Sequence, residues 1–232
     1  MTNFEVIFEE LAKTNDRSVI WNNWLEFVIQ CNLMNHPQQE TNFHNNEKEY
    51  VDLMNAWLNE LSKSLETKSY YDILGEFYEV LVQSRSKSKS LGQLYTPPAV
   101  TDLLSRMAIP ELDGFVNDPT CGSGRTLLAA HVKSKGELIC IGQDLDLTSC
   151  QMCVLNMWSH GVRGSVLHMD TLEGKFFQGW RVNNYLYHGL LVPHIELVSE
   201  SEAYNFIGVS NESKIVELTE PVKTESVQSK LL

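Results

Sequence analysis

Residues 114–170 alternate between short apolar runs and amphipathic segments, and this alternation limits the fold more than any other feature of the sequence. The apolar runs are GFVND, ELICIGQD and GSVLHMD, and the segments between them, RTLLAAHVKS and LTSCQMCVLNMWSHG, repeat apolar residues at helical spacing. Strands and helices that alternate with short connections predict a parallel α/β sheet. Ligands of such sheets bind at the carboxyl ends of the strands, where the sequence places Asp118, Asp144 and Asp170.

The segments on either side of this alternation differ from it in pattern. SVIWNNWLEFVIQCNLM, NEKEYVDLMNAWLNELSKSL and SYYDILGEFYEVLVQSR predict amphipathic helices, followed by the polar linker SRSKSKSLG. Beyond Leu172, LLVPHIELV, YNFIGVS and KIVELTEPV are interpreted as strands at the sheet edge. We therefore predict a helical domain of residues 1–90, a Rossmann-like domain of residues 91–220 and a flexible tail of residues 221–232.

Composition restricts the compartment and the partners. No apolar run approaches the roughly 18 residues of a membrane span, and MTNFEVIFEELAK carries acids where a signal peptide carries bases, so we expect a soluble cytoplasmic protein without membrane contact. The formal net charge is −12, and no segment has the basic surplus that phosphate neutralisation requires. Contact with nucleic acid must therefore be local, weak or supplied by a partner.

The five cysteines are scattered, which fits free thiols in a reducing compartment. Cys150 and Cys153 form a C-x-x-C pair inside a helical pattern, with no second pair and no strand before it. We interpret them as two buried thiols rather than as a redox or zinc site, and no metal is expected.

The loop NDPTCGSGRTLL, from Asn117 to Leu128, has two glycines between a strand end and a helix start. An ATPase phosphate loop would have a lysine after its glycines, and a dinucleotide fingerprint would have a third glycine where this chain has Thr126 or Leu127. Neither phosphate interpretation fits. What remains is an acidic strand end beside a turn whose missing side chains let a ligand lie against the main chain.

An acidic residue at that position repels a phosphate and suits a cation. S-adenosylmethionine carries an amine, a sulfonium and ribose hydroxyls, so carboxylates on the first two strands can pair with the amine and accept hydrogen bonds from the sugar. Asp144 lies about twenty residues beyond Gly124, the position from which a carboxylate takes ribose hydroxyls in nucleoside-binding folds. Each aspartate taken singly could instead cap a helix or close a turn.

Four segments of the chain, taken in order, resemble the motifs of adenine-N6 DNA methyltransferases, specifically the modification subunits of type I restriction systems. The segments are GQLYTPPAVTDLL, DPTCGSGRTLLAA, GQDLDLTSCQMCVLNMWSHG and HMDTL, and DILGEFYEVL resembles the helix that precedes the cofactor domain in those subunits. The resemblance covers roughly residues 70–172. It implies a Rossmann-like fold, S-adenosylmethionine as the cofactor and DNA as the substrate.

The resemblance also assigns roles to individual residues. It implies that Thr96 and the neighbouring backbone hold the methionine carboxylate. Asp118 and the loop backbone border the methionine amine, and Asp144 accepts hydrogen bonds from the ribose. Asp170 accepts from the adenine amino group, and Leu145 and Pro119 flank the adenine ring. The implied cofactor-binding residues are Tyr95, Thr96, Asp118, Pro119, Cys121, Gly122, Gly124, Asp144, Leu145 and Asp170.

The family's catalytic loop, Asn-Pro-Pro-Tyr/Phe, has no counterpart beyond HMDTL, because no two prolines adjoin after Asp170. That loop matters because the adenine amine is a poor nucleophile that must be held by an Asn side chain and a fixed carbonyl while an aromatic ring stacks on the flipped base. The nearest approximation is NNY, which makes Asn183 and Tyr185 the candidate catalytic residues. The alternative is that they belong to a helix or loop surface.

Two functions follow from the resemblance. The first is a partner-dependent adenine-N6 DNA methyltransferase of a restriction-modification system, which contacts DNA through a specificity or other protein subunit and for which an oligomer is one expected state. The second is an inactive cofactor-binding homologue that regulates such a complex or acts as a decoy. Methylation of a different small molecule or protein is a third and weaker alternative.

Overall fold

The computed structural model describes residues 1–34, 46–83, 114–207 and 216–217. The polar linker, the predicted contacts Tyr95 and Thr96, and the predicted tail lie outside these residues. Among the described residues, no helix has both the length and the apolar character needed to cross a bilayer.

The described residues before the linker form the three predicted helices and, ahead of them, a further helix that was not predicted from the sequence. They are α1 (Asn3–Leu11), α2 (Arg17–Cys31), α3 (Glu47–Leu65) and α4 (Ile73–Phe77), and α4 continues into a π-helical segment (Tyr78–Gln83). Thr2 and Glu5 form a capping box that starts α1, and the Asp16 carboxylate caps α2 by accepting from two backbone amides. Aromatic rings fill the space between the helices: Trp24 and Trp57 are fully buried and meet edge to face with their centroids 5.9 Å apart.

The predicted strand–helix alternation is confirmed. Strands β1 (Phe115–Asp118), β2 (Ile139–Asp144) and β3 (Gly164–Asp170) are parallel with β2 in the middle, and helices α5 (Arg125–Lys133) and α6 (Leu147–Ser159) connect them. Both helices pack on one face of the sheet, because a Cβ placed on Gly142 would lie 3.1 Å from Leu127 and 3.2 Å from Cys153. This arrangement brings the carboxyl ends of the three strands to one edge.

The chain after β3 turns back instead of continuing the parallel pattern. Strand β4 (Lys175–Val182) runs antiparallel to β3, and β7 (Ile195–Leu197) runs antiparallel to β4, giving the order β1-β2-β3-β4-β7. Strands β5 (Tyr185–Tyr187), β6 (Leu190–Val192) and β8 (Val216–Glu217) form a second sheet. The α/β class is confirmed, with a mixed sheet in place of a wholly parallel one.

Two predictions for this region need correction. LLVPHIELV forms two short strands, β6 and β7, in different sheets. YNFIGVS was predicted to be a strand, but residues 204–207 belong to helix α7 (Glu200–Ile207). The reason is a capping box at its start, in which the Ser199 amide donates to the Glu202 carboxylate at 2.9 Å and the Glu202 amide donates to the Ser199 hydroxyl at 3.4 Å.

The N-terminal helices and the sheet share one hydrophobic core. Trp57 of α3 lies 6.3 Å from Trp158 of α6 between ring centroids, and the Thr148 hydroxyl of α6 donates to Asn22 of α2 at 3.0 Å. The helices therefore brace α6 from the side opposite the sheet. The division of the chain near residue 90 stays a prediction.

Candidate functional site

The loop between β1 and α5 follows a path that requires glycine at two positions. Gly122 has φ +53° and Gly124 has φ +88°, both in the left-handed region. The Gly124 amide donates to the Cys121 carbonyl at 2.8 Å, and a Cβ on Gly124 would lie 2.7 Å from the Cys153 sulfur. The loop is therefore both tightly turned and pressed against α6, with its main chain bare at the point where α5 begins.

Asp144 joins the end of β2 to this loop. One of its carboxylate oxygens accepts from the Gly122 amide at 2.9 Å, and the other accepts from the Asp146 amide at 2.9 Å. Burial raises the pKa of this carboxyl above 3.8, while the donated backbone hydrogen bonds act in the opposite direction. Each carboxylate oxygen has a second lone pair, so Asp144 can still accept from a pair of hydroxyl groups.

Asp118 ends β1 on the other side of the loop. Its carboxylate accepts from the Thr126 hydroxyl and, at 3.1 Å, from the Thr120 amide. Parallel pairing sets Asp118 beside Gly142 of β2, two residues before Asp144. The structure thus brings Asp118, Asp144 and the glycine loop together, as the sequence predicted.

Asp170 lies at the same edge of the sheet, at the end of β3. The register pairs Asp144 with His168, so Asp170 stands two residues further along the neighbouring strand. One of its oxygens accepts from the Leu172 and Glu173 amides, each at 3.0 Å, and so closes the turn into β4. The turn interpretation of this residue is therefore part of its role, and within the described residues its other oxygen accepts no hydrogen bond.

The remaining predicted contacts divide into exposed and buried groups. Leu145 is 63% exposed and Pro119 is also exposed at the strand ends, so both are available to a flat ligand. Cys121 is buried, and its sulfur points beneath the loop toward Gly142 rather than outward. The hydrogen bond with the Cys153 thiol lowers the pKa of Cys121, whereas burial and the Asp144 and Asp118 carboxylates raise it, and the net effect is a raised pKa. Cys121 contributes its backbone, which ties the loop to Gln143 at 2.8 Å.

Asn183 and Tyr185 are not near this edge. Val182 pairs with Gly164 at the start of β3, so Asn183 lies about 20 Å along the strand from Asp170. The Asn183 side chain is fully buried and its amide donates to the Met157, Trp158 and Val162 carbonyls at the end of α6. This residue closes the last turn of α6 instead of standing on the helix or loop surface considered as the alternative.

Tyr185 shares the location of Asn183. Its hydroxyl donates to Glu196, and its ring lies 4.3 Å from that of His194. The structure brings neither residue to the carboxyl edge of the sheet, and their catalytic role stays a prediction that this geometry does not support.

A buried polar cluster beneath the loop escaped the sequence-based assignment. Asp72 at the start of α4 accepts from Ser123 of the loop, from Arg125 of α5 and from Asn156 of α6. Asp72 belongs to DILGEFYEVL, the segment that resembles the helix before the cofactor domain, but sequence spacing alone does not identify the partners of a buried carboxylate. Because the Arg125 guanidinium pairs with Asp72, its charge is directed away from the strand ends and not toward a phosphate.

The arrangement is a Rossmann-like sheet with acidic strand ends beside a bare glycine turn. Comparison of the sequence with known families supports this fold assignment. The profile described as N-6 DNA Methylase matches residues 69–186, slightly more than half of the 232-residue chain, and the chain belongs to this family.

Individual relatives are also similar to this chain. The type I restriction enzyme MpnII methylase subunit of Mycoplasma pneumoniae is 32% identical over 144 residues, which cover 54% of this chain and 26% of the relative. The type I restriction enzyme MjaVIII methylase subunit of Methanocaldococcus jannaschii is 29% identical, with 50% of this chain and 21% of the relative covered. The EcoEI methylase subunit of Escherichia coli is 26% identical, with 53% and 27% covered. The chain matches only about a quarter of the length of these proteins.

Proposed function

We propose that this chain binds S-adenosylmethionine at the carboxyl edge of β1 and β2 and works in adenine-N6 DNA methylation of the restriction-modification type, together with a partner. The observation that carries the proposal is the 2.9 Å hydrogen bond from the Gly122 amide to Asp144, which unites the two family motifs in one site. Family membership supplies the reaction class.

Each residue of the site contacts a different part of S-adenosylmethionine. Asp144 accepts from the two ribose hydroxyls, and Asp118 attracts the methionine amine, whose positive charge matches the acidic strand end. The left-handed loop lets the methionine portion lie against the main chain of Gly122 and Gly124. Asp170 accepts from the adenine amino group, beside Leu145 and Pro119. When bound, S-adenosylmethionine supplies an activated methyl group.

Tyr95 and Thr96 are retained in the proposal through the resemblance, as the residues that hold the methionine carboxylate. They follow the linker by a few positions in the sequence. The described residues of the site carry acidic groups where the cofactor carries its amine, so the carboxylate of the cofactor needs a donor from elsewhere in the chain.

Contact with DNA is assigned to a partner. The chain has 30 acidic and 18 basic side chains, a balance unfavourable for binding a polyanion alone. The relatives are named as methylase subunits of type I restriction enzymes. We therefore propose assembly with a specificity or other protein subunit that supplies DNA contact, in the cytoplasm.

Calorimetric titration with S-adenosylmethionine tests the pocket. The wild-type protein is expected to bind, and Asp144→Asn is expected to weaken binding at least tenfold, because two hydroxyls lose a charged acceptor worth about 1.5–3 kcal/mol. Asp146→Asn is the matched control, since Asp146 lies two residues away and caps α6 through the Ser149 amide at 2.8 Å. Equal affinity of wild type and Asp144→Asn, or no heat with wild type, contradicts the proposed site.

Transfer of a tritiated methyl group to unmethylated DNA tests the activity. We expect incorporation into adenine only when the chain is combined with a partner subunit from the same system. Cofactor binding without incorporation in the complete complex would favour the alternative of a cofactor-binding regulator or decoy.

A further inference from the structure

The carboxylate of Asp72 is the centre of the buried cluster beneath the glycine loop. Its side chain is 2% exposed and accepts four hydrogen bonds. The donors are the Gly75 amide at 2.9 Å, the Ser123 hydroxyl at 2.6 Å, Arg125 Nε at 2.9 Å and Asn156 Nδ2 at 2.7 Å. Four donors satisfy the buried charge fully, so the group has a single favourable geometry.

These bonds hold the loop from two directions. The Ser123 hydroxyl is bound by Asp72, and the Ser123 carbonyl accepts from Asn156 Nδ2 at 2.8 Å. Ser123 is 1% exposed and stands between the two left-handed glycines, Gly122 and Gly124. A turn of the loop out of its present conformation would therefore break bonds to the buried Asp72 carboxylate.

Helix α4 is in direct contact with the loop at this point. A Cβ placed on Gly75 would lie 2.8 Å from the Ser123 hydroxyl oxygen, so the helix can approach this closely only because residue 75 has no side chain. The contact joins an element outside the sheet to the backbone that presents the Gly122 amide to Asp144.

We propose that Asp72 is a positioning residue of the cofactor site, which fixes the glycine loop through Ser123 and Arg125 in the conformation that the cofactor needs. It touches no cofactor atom and acts by removing alternative loop conformations before binding. Helix α4 thereby controls the affinity of a site built on β1 and β2. This inference rests on the proposed function, because it presumes that the loop borders S-adenosylmethionine.

Ser123→Ala is the principal test, since it removes one hydroxyl that points away from the strand ends. The matched control is Thr148→Val, which removes the partly buried bond from the Thr148 hydroxyl to Asn22, between α6 and α2. Affinity for S-adenosylmethionine is measured by calorimetry and stability by urea unfolding without cofactor. We expect Ser123→Ala to bind about tenfold more weakly, the equivalent of one hydrogen bond to a charged group. Thr148→Val is expected to bind within about twofold of wild type, although both variants lose stability.

The stability measurement separates positioning from folding. Binding is compared at a temperature where the unfolding curve shows each variant to be fully folded, so a purely structural loss leaves the affinity unchanged. Asp72→Asn provides a second variant and is expected to weaken binding more than Ser123→Ala, with little further loss when both changes are combined. If Asp72→Asn does not fold, Ser123→Ala decides alone.

The outcomes distinguish this inference from the proposed function. A wild-type protein that does not bind S-adenosylmethionine overturns the proposed function and the positioning role with it. A wild type that binds, together with an unchanged affinity of Ser123→Ala, overturns the positioning role alone.

Discussion

Gly124→Ala is expected to destabilise the protein by about 2–5 kcal/mol, and the structure separates this cost into two parts. A left-handed backbone such as φ +88° at Gly124 costs an L residue about 1–2 kcal/mol. The added Cβ would also lie 2.7 Å from the sulfur of Cys153, and overpacking of a buried site costs about 1–3 kcal/mol. Urea unfolding of the variant and of wild type, followed by circular dichroism, measures the sum.

Two further comparisons test this division of the cost. Gly174 has φ +69° with nothing within 4 Å of its added Cβ, so Gly174→Ala should show the backbone cost alone, about 1–2 kcal/mol. In a Cys153→Ala background, the contact is relieved and Gly124→Ala should cost about as little as Gly174→Ala. The reasoning is refuted if Gly124→Ala and Gly174→Ala are equally destabilising, or if the Cys153→Ala background changes nothing.

Three other predictions concern the buried polar groups and thiols. Asn183→Ala should lower stability by about 2–4 kcal/mol, because the Asn183 side chain donates to three carbonyls at the end of α6 and accepts from the buried His194 amide. Cofactor affinity should be unchanged. Urea unfolding and calorimetry measure the two quantities, and weakened binding at unchanged stability would instead indicate a binding or catalytic role. Because burial raises the pKa of Asp144, its carboxylate becomes protonated at a higher pH than an exposed aspartate does, so cofactor affinity should decline more with acidification in wild type than in Asp144→Asn. In a thiol titration of the native protein, only the surface residue Cys31 should react, and it should react slowly because partial burial and Glu47 raise its pKa to about 11. All five thiols should react after unfolding. Fast reaction of the buried thiols in the native protein would contradict the packing beneath the loop.

The parts of the fold that follow from local patterns were predictable from the sequence. Alternating apolar runs, helical periodicity and the glycine turn are each encoded within a few residues, so β1 to β3 and their connecting helices were identified with the acidic strand ends in place. The right-handed connection of parallel strands then leaves one arrangement in which Asp118 and Asp144 meet.

The segment after β3 depends on contacts that spacing does not reveal. The antiparallel pairing of β4 depends on the free edge of β3 in the assembled sheet. The pattern of KFFQGWRV alone does not distinguish a surface strand from a core strand. Asn183 is a catalytic candidate only because NNY approximates the family's catalytic loop, whereas its environment is set by the end of α6, more than twenty residues earlier in the sequence. YNFI was misassigned because short apolar runs do not distinguish strand from helix, although the Ser199 and Glu202 capping pair was a usable signal.

The buried pairing of Asp72 with Arg125 also could not be predicted from sequence spacing. The two residues are separated by 53 positions, and nothing in either segment indicates the other. Such long-range polar pairs hold the glycine loop in its conformation, and they form only when the helices and the sheet pack together.

A crystal structure of the protein with S-adenosylmethionine tests the central claim most directly. The account predicts the ribose hydroxyl oxygens within hydrogen-bonding distance of the Asp144 carboxylate, and the methionine portion against the backbone of Gly122 and Gly124. Cofactor density away from this edge, or a ribose that makes no contact with Asp144, would contradict it.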